Sequence, residues 1–357
     1  MKKLNLAIIG QGRSGNQIHA AFYHTNKNVY FNVCYVVDKD ERRRKDAEKE
    51  FPNAKVFPSY KELLKHKDID LVVNASYSFQ HYTITKDLLR HGFNVLCEKP
   101  FCRNEKECKD LIKIAKEKKV VLAVFQNTFY APFYQHALEI LKKKKIGEVL
   151  QINIQYNGFS RRWDWQTLQK MMGGNSYNTG PHPFGMALGF LEFDPKAKLV
   201  YSNLKHTDMS LGDYDDFVKV ILSAPNRPVV DVEIDNSDAF SPFNVKFIGT
   251  RGTFRCNPFE YEMKYILPGE NEKYKPLDFT LVNDKGVPCY CSENLKFHEE
   301  KNKYVGTAFD VGTEMIYRDV YNAITKKKEL YVTNLMACKI TNLIDTIHKA
   351  NPIKRKF

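Results

Sequence analysis

Leu4-Asn5-Leu6-Ala7-Ile8-Ile9-Gly10-Gln11-Gly12-Arg13-Ser14-Gly15, read together with Asp38, decides the fold. Leu6, Ala7, Ile8 and Ile9 form a short apolar run, the pattern of a strand buried on both faces. The run enters a G-x-G-x-x-G loop. A helical stretch is predicted over Asn16–Thr25, and a second apolar strand, Phe31–Val37, ends in Asp38. Strand, glycine loop, helix, strand and acid follow one another as dinucleotide binding requires. Gly10 allows the tight turn, and Gly12 lets backbone approach a pyrophosphate seated on the helix N-terminus. Gly15 lets helix and strand pack closely, and Asp38 accepts hydrogen bonds from ribose hydroxyls. The predicted cofactor contacts of this segment are Gly10, Gly12, Arg13, Ser14, Gly15 and Asp38.

Outward from this unit, strands and helices alternate. Helices are expected at Glu41–Glu50, His81–His91 and Lys106–Lys118, and strands at Ala54–Phe57, Leu71–Ala75, Phe93–Cys97 and Val120–Phe125. Ser59 and Glu62 have capping-box spacing and predict a further helix start. Such alternation implies a doubly wound parallel sheet. After a helix at Pro132–Lys143 the pattern changes. Glu148–Tyr156 alternates polar and apolar residues, and strands follow at Leu199–Leu204, Asp216–Ser223, Val229–Ile234, Val245–Ile248, Thr253–Cys256 and Glu262–Leu267. Strands in series imply a large, mostly antiparallel sheet. Asn271–Lys303 reads as polar surface loop, and helices close the chain at Gly312–Thr325 and Leu335–Ala350. The expected class is α/β, with a dinucleotide-binding domain over 1–125 and an α+β domain for substrate and oligomerisation over 126–357.

The chain has 357 residues, 43% hydrophobic and 27% charged, which fits a soluble globular protein of two domains. No apolar run reaches membrane-span length, and Met1-Lys2-Lys3 leads directly into the first strand, so a cytoplasmic protein is expected. None of the eight cysteines forms a C-x-x-C pair, which argues against a zinc site or a disulfide framework. The net charge of +13 comes largely from lysine runs at or beyond helix ends, such as Lys142–Lys145. These complement helix dipoles, and no nucleic-acid-binding motif accompanies them.

Two further clusters carry chemistry. Glu98-Lys99-Pro100 follows a strand, where ligands of open α/β sheets bind. A lysine there can orient a hydroxyl or carry its proton. Gly173-Gly174-Asn175-Ser176-Tyr177-Asn178-Thr179-Gly180-Pro181-His182 brings backbone close and places Asn178 and His182 four residues apart. Histidine suits acid/base work near neutral pH. Arg161-Arg162-Trp163-Asp164-Trp165 holds both tryptophans, and Arg161, Trp163 and Trp165 are candidate sugar contacts beside the reading of the tryptophans as a hydrophobic anchor for an amphipathic helix.

These residues resemble the Gfo/Idh/MocA family, the glucose-fructose oxidoreductase and inositol dehydrogenase group, over nearly the whole chain. The resemblance runs through the glycine loop, Asp70-Leu71-Val72-Val73-Asn74-Ala75-Ser76…His81, Leu96-Cys97-Glu98-Lys99-Pro100, the histidine motif ending at His182, and Gly249-Thr250-Arg251-Gly252-Thr253. It implies an NAD-dependent oxidoreductase, with NADP left open by Lys39, Arg42 and Arg43. The substrate class it implies is a sugar, sugar acid or cyclitol. Lys99 and His182 would be catalytic, with Asn178 beside them. Ala75, Ser76, His81, Glu98 and Lys99 would line the ribose and nicotinamide. The Lys99–Pro100 bond would be cis, as is frequent in the family, and the protein a homodimer or homotetramer. Two positions depart from the pattern: Asn178 replaces an aspartate and Tyr77 a proline. The first shifts weight from His182 toward Lys99. A redox-neutral NAD-dependent glycosidase and a non-catalytic NAD-binding sensor are the alternatives.

Overall fold

In the computed structural model, residues 2–241, 243–270, 277, 279–283 and 285–357 are described. The first sheet is built from β1 (Leu4–Ile9), β2 (Phe31–Val37), β3 (Lys55–Phe57), β4 (Leu71–Asn74), β5 (Val95–Glu98) and β6 (Leu122–Phe125), in the order β3-β2-β1-β4-β5-β6. Every pairing in it is parallel. Helices cover both of its faces, so β4, β5 and β6 are buried at every position, as their continuous apolar sequence requires. The order reverses between β1 and β4, and the crevice beyond their carboxyl ends is where such folds take ligands.

The second sheet holds β7 (Val149–Gln155), β8 (Lys198–Lys205), β9 (Phe217–Ser223), β10 (Val229–Asp235), β11 (Val245–Gly249), β12 (Gly252–Cys256), β13 (Glu260–Tyr265) and β14 (His298–Lys303). Its order is β14-β13-β12-β11-β7-β10-β9-β8, antiparallel except where β10 runs parallel to β7. Strand β9 alternates half-buried and buried residues, because only one face meets the helices. The helices Pro132–Lys143 and Pro181–Phe190 pack on that face. Phe190 meets Phe247 edge-on at 5.1 Å, and Tyr134 tilts against Phe190 at 5.3 Å.

Three local expectations are corrected. The helix after the glycine loop is not regular: Gly15–Ala20 forms a wide π turn before a short α turn, Ala21–Tyr23. This turn carries His19 into the interior, where its Nδ1 lies 2.6 Å from the Tyr317 hydroxyl. At Ser59 there is no capping box. The Ser59 hydroxyl accepts from Lys61 N, Glu62 pairs with Lys65 instead of reaching back, and the element is a 3-10 turn, Tyr60–Lys65. The stretch expected to be loop contains β14, a charged edge strand. Ion pairs hold it in place of apolar alternation: Lys264–Glu299 at 2.7 Å and Lys145–Glu300 at 2.8 Å. Charge on an edge also discourages pairing with other chains. Residues 271–276 of that predicted loop lie outside the described residues.

Candidate active site

The crevice at the carboxyl ends of β1, β2, β4 and β5 opens into a cleft of about 1090 Å³. Its floor is the glycine loop. Gly10 has φ +92°, and a Cβ there would come within 2.4 Å of the Ala75 carbonyl oxygen. A Cβ on Gly15 would lie 1.8 Å from the Gly10 carbonyl oxygen, so both positions admit only glycine. Gly12 differs. A Cβ there would meet only Arg43 Nη1, at 3.8 Å, so the backbone at Gly12 faces open cleft. That is the space a pyrophosphate needs at a helix start.

Asp38, at the end of β2, is buried, and Gln11 N (2.6 Å) and Asp40 N (2.8 Å) donate to its carboxylate. These bonds fix the carboxylate toward the loop and leave it free lone pairs for ribose hydroxyls. Arg43 Nη1 stands 3.7 Å from Asp38 Oδ2. Cradle and acid therefore fit a dinucleotide. Arg13, Ser14, Ala75 and Ser76 line the same cleft.

Beyond β4, Asn74 organises the turn. Its Oδ1 accepts from Ser76 Oγ at 2.7 Å, and its Nδ2 donates to Thr85 Oγ1 at 3.0 Å. His81 Nδ1 lies 2.7 Å from the Pro100 carbonyl oxygen and Nε2 lies 3.1 Å from that of Ser76. His81 thus ties the β4 loop to the β5 loop, and burial holds its pKa below the ordinary value. The Lys99–Pro100 bond is cis, as the family resemblance implies.

Glu98 lines the cleft but turns its carboxylate inward, where His19 Nε2 lies 3.2 Å away and Lys99 N donates at 3.0 Å. Burial works to raise its pKa. The hydrogen bond and charge of His19, with Lys99 and His81, overcome this and hold Glu98 below the usual carboxylate range. Lys99 reaches across to the second sheet's loops, and Nζ donates to the Asn178 carbonyl oxygen at 2.7 Å. Burial lowers the Lys99 pKa, Glu98 opposes this, and Arg13 and Arg162 add to the lowering.

The one-turn helix Asn175–Asn178 and the helix Pro181–Phe190 carry Asn178 and His182. The two side chains do not pair with each other. Asn178 Oδ1 accepts from Gln166 Nε2 at 3.0 Å, while His182 Nδ1 lies 2.6 Å from Thr128 Oγ1. Burial and the nearby Lys99 charge push His182 down to about 3. The neutral hydroxyl of Thr128 does not offset this as a carboxylate would.

The aromatic segment divides at a turn, where Asp164 caps the 3-10 turn Trp165–Thr167. Trp165 and Arg162 line the cleft, whereas Arg161 is exposed and Trp163 is 80% exposed, both outside the lining. Sequence reasoning missed Thr128, His19 and Gln166. The sign available for His19 was its place on the turn that leaves the glycine loop; Gln166 and Thr128 gave none.

A glycine-floored crevice that fits a dinucleotide, with a lysine beyond the end of β5, defines a Rossmann-type nucleotide-binding protein of two sheets. The chain belongs to the Gfo/Idh/MocA oxidoreductase family. The family's NAD-binding Rossmann-fold domain matches residues 4–126, and its C-terminal domain matches residues 134–255. An uncharacterised oxidoreductase of Schizosaccharomyces pombe is 30% identical over 291 residues, 78% of this chain and 76% of the relative. The 2,7-anhydro-N-acetylneuraminate hydratase of Escherichia coli is 22% identical over 76% of this chain and 72% of its own. In structure, the 3-ketoreductase KijD10 of Actinomadura kijaniata, solved with NADP and TDP-benzene, superposes with a TM-score of 0.77 at 15% identity, covering 98% of each chain. Among the described residues no helix is long and apolar enough to cross a membrane.

Proposed function

We propose that this protein moves a hydride between a nicotinamide and a hydroxyl-bearing carbon of a sugar, sugar acid or cyclitol. The observation that carries the reading is Lys99. It stands at the end of β5 in the same cleft as Gly12 and Asp38, with Nζ anchored on the Asn178 carbonyl oxygen. The bound nicotinamide supplies the hydride acceptor or donor. Gly10, Gly12, Arg13, Ser14, Gly15 and Asp38 hold the dinucleotide, with Ala75 and Ser76 along its path.

Lys99 takes the substrate hydroxyl proton on Nζ during oxidation and returns it during reduction. Its lowered pKa raises the share of free amine at any given pH. His182 remains neutral, holds the same oxygen by a hydrogen bond, and keeps its ring oriented through Thr128. Arg162, Trp165 and Gln166 form the substrate wall on the second sheet's side. NAD is the favoured nucleotide, because a carboxylate at Asp38 repels a 2′-phosphate.

The test is nicotinamide absorbance with purified protein, NAD and a panel of sugars, sugar acids and cyclitols. A rise with one of them supports the reading. A flat trace on every member in both directions, with nucleotide bound, overturns it. The likeness to the hydratase favours a second reading, in which oxidation and reduction cancel within one turnover. Product formation or solvent deuterium uptake without absorbance change would mark that chemistry.

A further inference from the structure

Tyr77 stands in a position that neither the glycine loop nor Lys99 explains. It follows β4, and its ring receives Lys39 Nζ at 4.9 Å from the centroid. Lys39 follows β2. In the sheet β1 lies between β2 and β4, so this contact spans the end of β1, where Gly10–Gly15 emerges. From the second sheet's side, Trp165 meets the same ring edge-on, 5.1 Å between centroids and 85° between planes. Phe79 stacks on Tyr77 at 6.2 Å. Lys39, Tyr77 and Trp165 all line the cleft, together with Lys99 and Asn178.

We propose that Lys39, Tyr77 and Trp165 form a strap across the nucleotide crevice that retains NAD(H), so that release waits on separation of Trp165 from Tyr77. The inference rests on the reading that Gly10–Gly15 and Asp38 hold a dinucleotide. The strap joins three loops that leave the ends of β2 and β4 and the second sheet's side of the cleft. Aromatic and cation–π contacts of this kind give each junction enough strength to slow opening several-fold. Lys39, engaged on the Tyr77 face, is also drawn away from a ribose 2′-position beside Asp38.

The test is NADH release, followed by the fluorescence of NADH itself in stopped flow after mixing with excess NAD. Wild type is compared with Tyr77→Ala, Trp165→Ala, the double variant, Trp165→Phe and Trp163→Ala. Release is expected to quicken several-fold in Tyr77→Ala and Trp165→Ala. The double variant is expected to be no faster than Tyr77→Ala alone, because the two residues act through one contact. Trp165→Phe, which keeps a ring edge on Tyr77, should fall back toward wild type, and the exposed Trp163→Ala should match it. Equal release rates in all variants, with NADH bound normally, overturn the strap and leave the nucleotide reading standing. Failure of wild type to bind NADH overturns both.

Discussion

Lys99 lines the cleft, His182 stands near it outside the lining, and their surroundings give them different uses. Burial brings Lys99 down from its ordinary 10.5, and burial with the Lys99 charge brings His182 to about 3. Oxidation needs the free amine, so its rate should rise with pH along a limb lying below 10.5. Lys99→Met should remove that limb, and no limb near pH 6.5 from His182 should be present; rate profiles across pH 5–10 check both. Asp38→Ala should narrow the preference for NAD over NADP by about tenfold, read as the ratio of dissociation constants. Lys99 and Asp38 were legible in the sequence because each ends a buried strand, and strand ends face the crevice. Thr128 was not. Its role depends on where the turn after β6 falls against the helix Pro181–Phe190, which no local pattern encodes. Trp163 misled because the chain turns between the two tryptophans: Asp164 caps the 3-10 turn Trp165–Thr167, which carries Trp165 to the cleft and leaves Trp163 in solvent.

At the scale of elements, the turn Asn175–Asn178 holds Lys99 through a backbone carbonyl and is itself held by two buried titratable groups. Ser176 N donates to Asp215 Oδ2 at 2.7 Å, and the Ser176 hydroxyl meets His348 Nε2 at 2.6 Å. Burial pushes Asp215 up to about 7 and His348 down to about 4. Between pH 4 and 7 the folded chain keeps the Asp215 proton that the unfolded chain has lost, so this group lowers stability as pH rises. Between pH 6.5 and 4 the unfolded chain takes a proton that folded His348 refuses, so this group lowers stability as pH falls. The two slopes oppose each other. Relative to wild type, Asp215→Asn should make the melting temperature climb with pH over 4–6.5, and His348→Gln should make it decline over 4–7. Parallel profiles in all three proteins would contradict the account. Gly15→Ala should abolish nucleotide binding and lower the melting temperature, because its Cβ would overlap the Gly10 carbonyl. The glycine loop was readable because its spacing serves a backbone need. The β14 strand was not, because ion pairs to β13 and Lys145, and not apolar alternation, hold it.

For the whole molecule, the two sheets, one parallel and one mostly antiparallel, were legible from the switch between alternating and serial strand patterns after Phe125; the order of strands within each was not. Nor was what covers the first sheet. The helix Thr313–Lys326, far along the chain, returns to it. Tyr317 stacks on Phe22 at 4.8 Å, meets Phe31 at 5.6 Å and contacts His19 behind Glu98, and Tyr321 donates to the Lys2 carbonyl at 2.9 Å. The periodicity of that helix gives its apolar face but not its partner. A fragment of residues 1–125 should therefore fail to fold alone, showing dye-binding apolar surface and little amide protection, whereas a protected, cooperatively melting fragment would refute this. Both halves of the molecule meet at Lys99, whose Nζ reaches the Asn178 carbonyl oxygen from the end of β5. Hydride transfer in wild type and Lys99→Met is measured in single turnover, with NADH affinity determined on the same samples. The account predicts a rate lower by about 10²–10⁴ with affinity nearly unchanged. A Lys99→Met enzyme that transfers hydride at the wild-type rate would contradict it.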